Sequence, residues 1–414
     1  MSEVMEMAVR AKEAKRYMAT VSPAVRKNAL LAMADALEQN SDDIVSANLQ
    51  DMVAGTKAGL SAALLDRLML DGTRISAIAQ SVRDIAALPD PIGRVLESIQ
   101  RPNGLRIMKM TVPLGVIAVI YEARPNVTAD SAALCLKSGN VVILRGGKEA
   151  IHSNTAITEA MRSAVAAVGL PADCIQLVPD TRRESANDLM GLTGYVDVLI
   201  PRGGRGLIQS VVQQSRVPVI ETGAGVCHVY IDKAADLDMA ADIVYNAKTS
   251  RPSVCNACEC ILVHKDVAAA ALPLIRQKLD EKKVELRGDE TACAILPGIK
   301  QAQEDDWGQE YNDYILAIKV VNDMFEAMDH IYRYGTMHSE CIVTEDYEAA
   351  ERFLQQVDAA AVYHNASTRF TDGGEFGFGA EIGISTQKLH ARGPLGVNEL
   401  TSIKYVVYGS GQVR

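Results

Sequence analysis

The spacing of apolar and polar positions changes near Pro89–Pro91. Before this point, apolar residues recur every three to four positions, which predicts a series of amphipathic helices. One helix should begin after Ser22, because serine is a good N-cap and Pro23 suits the first helical position. Further helix starts are expected at Ser41 and around Asp71–Thr73.

Beyond residue 91, short apolar runs alternate with helical stretches, which predicts α/β architecture with parallel sheets covered by helices. The first set of strands is expected at 116–121, 141–144, 175–178, 196–200 and 217–220, with helices at 129–137 and 153–168. The second set is expected at 228–231, 260–263 and 315–321, with helices at 234–248 and 267–282. Residues 402–408 alternate like an edge strand, and the charged stretch 280–290 is expected to be a helix end and a loop.

The composition and charge of the chain exclude several classes of protein. The chain has 414 residues and a net charge of −10, so it lacks the basic surface that nucleic-acid binding requires. No apolar run approaches the ~18 residues of a membrane span, and the charged N-terminus does not resemble a signal peptide. Eight irregularly spaced cysteines do not form a secreted disulfide pattern. We therefore expect a cytoplasmic protein with neither membrane nor nucleic acid as a partner.

A cysteine cluster is open to three interpretations. Cys255, Cys258, Cys260 and His264 could bind a metal, although no second ligand pair lies at a zinc-finger distance. Cys258 and Cys260 could instead be small core residues that share one face of a strand. In the third interpretation, Cys255 is a reactive thiolate at the junction between a loop and a strand.

Two glycine loops follow apolar runs, although neither common nucleotide fingerprint is present. Arg145, Gly146, Gly147 and Lys148 form the first loop, and residues 201–206, with Gly203 and Gly204, form the second. Backbone N–H groups in such loops can approach a phosphate. Each loop alone could equally be a tight turn, but two loops at one end of a parallel sheet favour a dinucleotide.

Three further segments carry polar groups near strand ends or loops. Glu221 could be a base or could cap a helix, and Asn126 could donate to an oxyanion or serve as an N-cap or Asx-turn residue. The glycine-rich stretch 371–379 leads to cations in residues 388–394. Cations beside such a loop are suited to capturing an anionic substrate.

Specific motifs run through essentially the whole chain. They lie at residues 101–106, 112–128, 253–257, 338–340, 342–346, 365–370 and 381–396. With these motifs the chain resembles the γ-glutamyl phosphate reductases, a family within the aldehyde dehydrogenase superfamily. Cys258 and Cys260 depart from the family's pattern.

The resemblance implies an aldehyde-dehydrogenase-like fold with a Rossmann-type cofactor domain, an α/β catalytic domain and a small oligomerisation element. It places the NADP-binding domain at 1–222, interrupted by an arm at 98–111, and the catalytic domain at 223–365. Residues 366–398 would return along the interface between these domains. Residues 98–111 and 399–414 would form the oligomerisation element, so a homo-oligomer is expected.

The resemblance also implies NADPH-dependent reduction of L-glutamyl 5-phosphate to L-glutamate 5-semialdehyde with release of phosphate, the second step of proline biosynthesis. Cys255 would form a thioester, and the amide of Asn126 would stabilise the oxyanion. A transient complex with glutamate 5-kinase is left open. The rival interpretations are another cysteine-dependent aldehyde dehydrogenase, a zinc-binding interaction protein, and a degenerate family member that serves only as a partner of the upstream kinase.

The remaining site residues are carried over by position. Glu221 matches the superfamily's glutamate, although a base would hydrolyse the thioester, and Glu310 matches the residue that binds the nicotinamide ribose. Arg145 or Lys148 would contact the 2′-phosphate of NADP. No metal is implied.

The substrate carries a carboxylate, an ammonium and a phosphate. Arg124 and Arg392 are the candidates for binding its anionic groups, and Glu340 is the candidate for binding the ammonium. Each of these three residues could instead belong to an ion pair between domains.

Overall fold

The computed structural model describes residues 2–414, without the side chains of residues 62 and 63; Met1 lies outside the described residues. The helices are α1 (Glu3–Met18), α2 (Pro23–Gln39), α3 (Ser41–Lys57), α4 (Ala62–Leu68), α5 (Gly72–Ala87), α6 (Pro125–Lys137), α7 (Ile151–Ala167), α8 (Arg183–Met190), α9 (Arg205–Gln214), α10 (Leu237–Thr249), α11 (Lys265–Asp280), α12 (Glu290–Ile295), α13 (Met324–Tyr334) and α14 (Tyr347–Gln356). The strands are β1 (Val95–Gln100), β2 (Arg106–Pro113), β3 (Val116–Tyr121), β4 (Val141–Gly146), β5 (Ile175–Leu177), β6 (Val198–Arg202), β7 (Cys227–Ile231), β8 (Cys258–His264), β9 (Glu285–Gly288), β10 (Lys300–Gln301), β11 (Ile315–Val321), β12 (Ser339–Val343), β13 (Ala361–His364), β14 (Ile384–Ser385), β15 (Gly393–Pro394) and β16 (Thr401–Tyr408). No helix within residues 2–414 combines the length and the apolar character that crossing a bilayer requires.

The chain divides into two compact units. Unit 1 contains residues 1–222, 377–383 and 394–414, and unit 2 contains residues 223–376 and 384–393. The segment 366–376, which was expected in the return segment, therefore groups with unit 2.

Unit 1 is built on a buried parallel sheet with the strand order β5-β4-β3-β6. The carboxyl ends of β4 and β6 thus lie on either side of β3, which confirms that the two glycine loops share one end of a parallel sheet. The strand expected at 217–220 is wrong, because only an isolated bridge joins Leu199 to Val219. Pro218 has no N–H to donate, so a regular ladder is not possible there.

The helices at the start of unit 1 begin where the sequence predicts. The side chain of Ser22 accepts a hydrogen bond from Val25 N, and that of Asp71 accepts one from Arg74 N. Helix α3 begins at Ser41, but the residue at its N-cap position is Asn40. Local capping chemistry is therefore sufficient to place the starts of α2 and α5.

A second sheet of unit 1 is antiparallel, with the order β1-β2-β16. Strand β16 lies at the edge of this sheet, as its alternating pattern predicts. All six residues of β1 are exposed, and β16 exposes the apolar side chains of Ile403, Tyr405 and Val407. The expected role of this sheet in oligomerisation stays a prediction.

Unit 2 is built on a parallel sheet with the order β10-β9-β11-β8-β7-β12-β13. Separate hydrophobic clusters pack against it. The loop expected at 280–290 is partly wrong, because β9 lies within this stretch and pairs with β11. The apolar residues of the stretch, Val284 and Leu286, are buried, and their spacing of two fits a strand.

Candidate active site

Cys255 lies half-buried in the turn between α10 and β8. The next residue, Asn256, is buried, and its Nδ2 donates to the carbonyls of Arg369 (3.1 Å) and Thr371 (3.0 Å). Its Oδ1 accepts from Nη1 of Arg369, and its carbonyl accepts from Oγ1 of Thr368 (2.8 Å). Four hydrogen bonds thus attach the residue beside the thiol to one segment of unit 2.

Gly225 lies directly against the segment 250–256, which contains the candidate nucleophile Cys255 and is called the nucleophile loop below. A Cβ built on Gly225 would overlap the carbonyl oxygen of Cys255, so only glycine fits there. The N–H of Gly225 donates to Oε1 of Glu310 at 3.2 Å. Two of the predicted site residues, Cys255 and Glu310, are therefore brought together around one glycine.

A line of buried polar groups lies behind Cys255. The thiol of Cys227 donates to the carbonyl of Cys255 (3.2 Å), and its Sγ lies 3.7 Å from Nδ1 of His338. This Nδ1 lies 2.8 Å from Oγ of Ser339, which in turn lies 2.7 Å from Oγ1 of Thr371. Burial raises the pKa of Cys227 far above its ordinary value, so its sulfur keeps the proton that it donates.

The two neighbouring cysteines do not share a face of the strand. Cys227 pairs with Cys258, while the next residue, His228, pairs with Cys260, so Glu259 is an extra residue in a β-bulge. The bulge places Cys258 in one hydrophobic cluster and Cys260 in the other. The prediction of a shared face is wrong, although both side chains are buried as predicted.

The predicted metal-ligand set is not assembled either. Cys258 and Cys260 point to opposite sides of the sheet, and His264 lies at the far end of β8, where it caps α11 by accepting from Asp266 N. The predicted set of Cys255, Cys258, Cys260 and His264 therefore does not converge on one tetrahedral metal site.

A different trio of potential ligands occurs among the described residues. Ligand atoms of His228, Cys260 and His330 lie within 4.8 Å of one another, all of them buried. However, Nζ of Lys319 lies 3.4 Å from Nδ1 of His330, and an ammonium there opposes a second cation. We therefore assign no metal to this trio.

A buried ion pair lies under the bulge. Nζ of Lys248 is 2.6 Å from Oε2 of Glu259, and the two side chains are 0% and 1% exposed. Burial raises the pKa of Glu259 to about 8, although the charge of Lys248 opposes the shift. The ammonium also lies 5.8 Å from the centre of the Tyr311 ring. This pair holds the end of α10 against the start of β8.

Glu340 does not occupy the position that a substrate contact requires. It is fully buried on β12, and its Oε2 accepts from the backbone N (2.8 Å) and the ring Nδ1 (3.0 Å) of His228. Burial raises the pKa of Glu340, and His228 opposes that shift. In place of the predicted contact with an ammonium, or an ion pair between domains, Glu340 forms a pair within unit 2.

In unit 1, the residues of the first glycine loop differ in how far they are available to a ligand. Nη2 of Arg145 donates to the carbonyls of Thr181 (2.6 Å) and Arg182 (2.9 Å), so this guanidinium fixes a neighbouring loop. Gly146 is buried, and a Cβ there would overlap the side chain of Asn154. Lys148, by contrast, is exposed.

Gly147 completes this first loop. It is buried, and a Cβ on it would overlap the carboxylate of Glu149, which would have to move aside. Backbone without side chains at the end of β4 is compatible with the close approach of a phosphate.

The second glycine loop already holds an anionic group. The N–H of Gly204, which is the N-cap residue of α9, donates to Oε2 of Glu122 at 2.8 Å. A Cβ on Gly203 would lie 2.6 Å from the same oxygen. Sequence reasoning missed this carboxylate, although its position at the end of β3 was the signal that could have revealed it.

Asn126 is the second residue of α6, and Arg124 occupies the N-cap position. The alternative of Asn126 as an N-cap is therefore wrong. Its Nδ2 donates to Oδ2 of Asp130 at 3.1 Å, and Oγ of Ser81 is 3.3 Å from the other oxygen. Burial raises the pKa of Asp130 to about 6, against the effect of these hydrogen bonds. The oxyanion role of Asn126 stays a prediction.

Glu221 lies just after the bridge at Val219, in an extended segment of unit 1. Because the next regular element is strand β7, the alternative that Glu221 caps a helix is wrong. Its match to the superfamily's glutamate stays a prediction.

The predicted cations beside the glycine-rich loop converge on one carboxylate of unit 2. Nη1 of Arg392 lies 2.7 Å from Asp358 Oδ1, and Nζ of Lys388 lies 2.5 Å from its Oδ2. Hydrogen bonds from Lys388 and Arg392 lower the pKa of Asp358. The pair of Arg392 is thus formed within unit 2 instead of between domains.

Several residues around the thiol were not singled out from the sequence. Asn256 and Arg369 lay inside the recognised motifs, and Gly225 lay in the glycine-containing run after Glu221. Their motif membership was the available signal, but only the fold shows that they meet around Cys255.

Comparison with known proteins agrees with this architecture. The aldehyde dehydrogenase family model matches residues 1–315. Gamma-glutamyl phosphate reductase of Clostridium novyi is 57% identical over 411 residues, covering 99% of each chain, and that of Moorella thermoacetica is 58% identical over 412 residues, covering 100% of this chain and 99% of the other. The crystal structure of the Thermotoga maritima gamma-glutamyl phosphate reductase is 45% identical over 100% of both chains, with a TM-score of 0.97.

These matches confirm the predicted fold class and the resemblance on which it rests. The identity extends along the whole chain, and the fold is shared with a solved member from end to end. The chain belongs to the gamma-glutamyl phosphate reductase family, within the aldehyde dehydrogenase family.

Proposed function

We propose that this chain is an oxidoreductase that reduces L-glutamyl 5-phosphate to L-glutamate 5-semialdehyde and releases phosphate, using NADPH and a thioester at Cys255. The proposal rests on a half-buried thiol in a fixed loop, in a chain that matches relatives of that name over its full length. A reaction of this kind is the second step of proline biosynthesis. The activity is suited to the cytoplasm, which we propose as its location.

The chemistry divides into two halves at Cys255. The thiolate attacks the γ-carbonyl carbon and forms a C–S bond, and the C–O bond to phosphate then breaks, with its electron pair leaving on phosphate. The oxyanion formed on attack requires hydrogen-bond donors, and the backbone N–H of Cys255 is one candidate. Asn126 keeps its predicted role as the other. When the aldehyde is released, the sulfur regains its electron pair as a thiolate.

NADPH, when bound, supplies the hydride that reduces the thioester. The first glycine loop fits such a cofactor, because Gly146 and Gly147 leave the end of β4 without side chains and Lys148 presents an exposed cation. We propose that Lys148 contacts the 2′-phosphate, because the guanidinium of Arg145 is engaged with two carbonyls. A ligand phosphate at Gly203 and Gly204 would have to displace a carboxylate, so we place the cofactor phosphate at the first loop.

The remaining partners follow from the same proposal. Arg124 stays the candidate for an anionic group of the substrate, and Glu310 stays the candidate for the nicotinamide ribose. Arg392 would have to leave Asp358 to bind an anion, and we do not extend the proposal to Glu340. A homo-oligomer and a transient complex with glutamate 5-kinase are proposed on the same resemblance.

The reverse reaction tests the proposed function. Glutamate 5-semialdehyde and NADP are incubated with the protein, with and without inorganic phosphate, and NADPH is followed by its absorbance. We expect NADP reduction that requires phosphate, because only phosphate can release the acyl group from the sulfur as an acyl phosphate. NAD in place of NADP measures the contribution of the 2′-phosphate.

Turnover at the same rate without phosphate would contradict this proposal. It would indicate an aldehyde dehydrogenase that hydrolyses its thioester, with Glu221 as the base that activates water.

Gly225→Ala is expected to lower kcat by about 100-fold, because a displacement of ~1 Å at a reacting group costs roughly that factor. The added methyl group overlaps the carbonyl oxygen of Cys255, so the nucleophile loop must shift. Gly206→Ala is the matched control, since no atom lies within 4 Å of the Cβ position there and the helix gains a better helix former. Equal kcat values for the two variants in the phosphate-dependent assay would show that the close contact at Gly225 does not position Cys255.

A further inference from the structure

The guanidinium of Arg369 forms hydrogen bonds with residues at both ends of the nucleophile loop. Its Nε donates to Oγ of Ser250 at 3.0 Å, and its Nη1 donates to Oδ1 of Asn256. Ser250 precedes Cys255 by five residues and Asn256 follows it directly. The guanidinium is therefore fixed at the two ends of the segment that presents the thiol.

The backbone around Arg369 is equally well fixed. The carbonyl of Arg369 accepts from Nδ2 of Asn256 (3.1 Å), and the neighbouring Thr368 donates to the carbonyl of Asn256 (2.8 Å). A side chain held by several such bonds loses little additional entropy when its charge stabilises another group. The arrangement is thus preorganised for electrostatic stabilisation.

The charge of Arg369 interacts electrostatically with that of the Cys255 thiolate. Burial lowers the pKa of Arg369, while the negative charges of Asp372 and of the Cys255 thiolate raise it and the cation of Arg251 lowers it. Because this electrostatic interaction is mutual, a guanidinium that gains from the thiolate must also stabilise it. Arginine stays protonated at any pH at which a thiol is studied.

We propose that Arg369, held by Asn256, is the residue that keeps Cys255 in its thiolate form. This inference rests on the proposed function only in taking Cys255 as the nucleophile. It adds an activating cation that was not among the predicted site residues. It also gives Asn256 a positioning role, since that amide fixes both the guanidinium and the chain directly after the sulfur.

The charged groups around Arg369 set the expected pH behaviour. Arg369 favours the thiolate of Cys255, while Asp372 and Arg251 act on Arg369 with opposite signs. The thiol of Cys227, which contacts Cys255, and the carboxylate of Glu310, which binds Gly225, are further titratable groups nearby. A nearby opposite charge lowers a thiol's pKa by about one unit or more, so loss of Arg369 should raise the thiol's titration midpoint by about one pH unit.

Alkylation by iodoacetamide, which needs no substrate, tests this inference. The full-length protein is alkylated between pH 5 and pH 10, and modification of each cysteine is measured by peptide mass spectrometry. Cys293 is also partly exposed and serves as an internal reference in every sample. In Arg369→Gln, the midpoint for Cys255 should rise by about one pH unit while that of Cys293 does not move.

Two further variants separate charge from structure. Arg369→Lys keeps the charge and should restore most of the wild-type midpoint, and Asp372→Asn should lower the midpoint, because it removes the anion that offsets Arg369. Arg251→Gln, which removes an exposed cation four residues before Cys255, is the matched control and should shift the midpoint far less.

An unchanged Cys255 midpoint in Arg369→Gln, with the fluorescence of Trp307 as in the wild type, would overturn the inference. So would equal shifts in the Gln and Lys variants, since both would then reflect altered structure and not charge. A protein that fails the phosphate test but shows these shifts would instead be a different cysteine-dependent enzyme with the same activating cation.

Discussion

Cys255→Ala is expected to abolish the phosphate-dependent reduction of NADP, lowering kcat by at least ~10⁴-fold. Removing the nucleophile of a covalent mechanism costs on the order of 10⁴–10⁶ in rate, because no other group supplies the bond that divides the reaction. In this chain, the next two cysteines, Cys258 and Cys260 on β8, are buried on opposite sides of the sheet. Neither can substitute for the missing thiol.

The measurement is kcat for NADPH formation from glutamate 5-semialdehyde, NADP and phosphate, together with mass spectrometry of the acylated protein. Cys293→Ala is the matched control, because Cys293 is also partly exposed but lies in α12, away from the nucleophile loop. We expect the control to retain kcat within about twofold, as is usual for a substitution away from special features. A Cys255→Ala variant with the activity of this control would show that another residue is the nucleophile.

The regular elements of the fold could be predicted from local patterns. Strands β3 and β11 have the predicted bounds, and the helix starts at Pro23 and near Asp71 follow from their caps. These features depend on residues within one or two turns of each other, so the sequence contains the information. The strand expected at 217–220 failed because Pro218 removes a donor from the ladder.

The environment of the thiol could be predicted only in part. Cys255 was identified at the correct junction between a loop and a strand, but the faces of Cys258 and Cys260 were wrong. A single inserted residue, Glu259, reverses the alternation of side chains, and nothing in the local pattern marks a bulge. The register of β8 with the neighbouring strand β7 determines where the bulge lies, and β7 lies about thirty residues earlier in the sequence.

The charged residues show even more clearly that contacts between residues distant in sequence cannot be predicted from local patterns. Glu340 pairs with His228, 112 residues away, and Arg392 pairs with Asp358, 34 residues away. Sequence alone shows an isolated charge near a motif, which suggests a ligand. Only the fold places a partner of opposite charge beside each of these residues. A buried charge such as that of Glu340 requires its partner, because water cannot reach it.

At pH 9, Lys248→Met is expected to lower the free energy of unfolding of unit 2 by about 3–5 kcal/mol, because Glu259 is then buried without the ammonium that stabilises its ionised form. The side chains of this pair are 0% and 1% exposed, so water cannot replace the lost ammonium. Trp307, the only tryptophan of the chain, lies in a hydrophobic cluster of unit 2, and its fluorescence during urea unfolding reports on this unit.

The effect should also depend on pH. Burial raises the pKa of Glu259 to about 8 in the folded state, so the folded unit binds this proton more tightly than the unfolded chain. The stability that this contributes is complete below the ordinary carboxyl pKa and is lost as the pH rises to about 8. Without Lys248 the folded-state pKa rises further, so we expect a greater loss at pH 9 than at pH 6.

Two control variants decide whether the buried charge is the cause. Lys248→Met combined with Glu259→Met removes both charges and should be within about 1–2 kcal/mol of the wild type, since a buried ion pair and an apolar pair are often nearly equivalent. Lys278→Met, on the exposed pair of Lys278 with Asp242, should cost less than about 1 kcal/mol. A double variant as unstable as Lys248→Met would attribute the loss to packing of the lysine's carbon chain, and the role of the charge would be refuted.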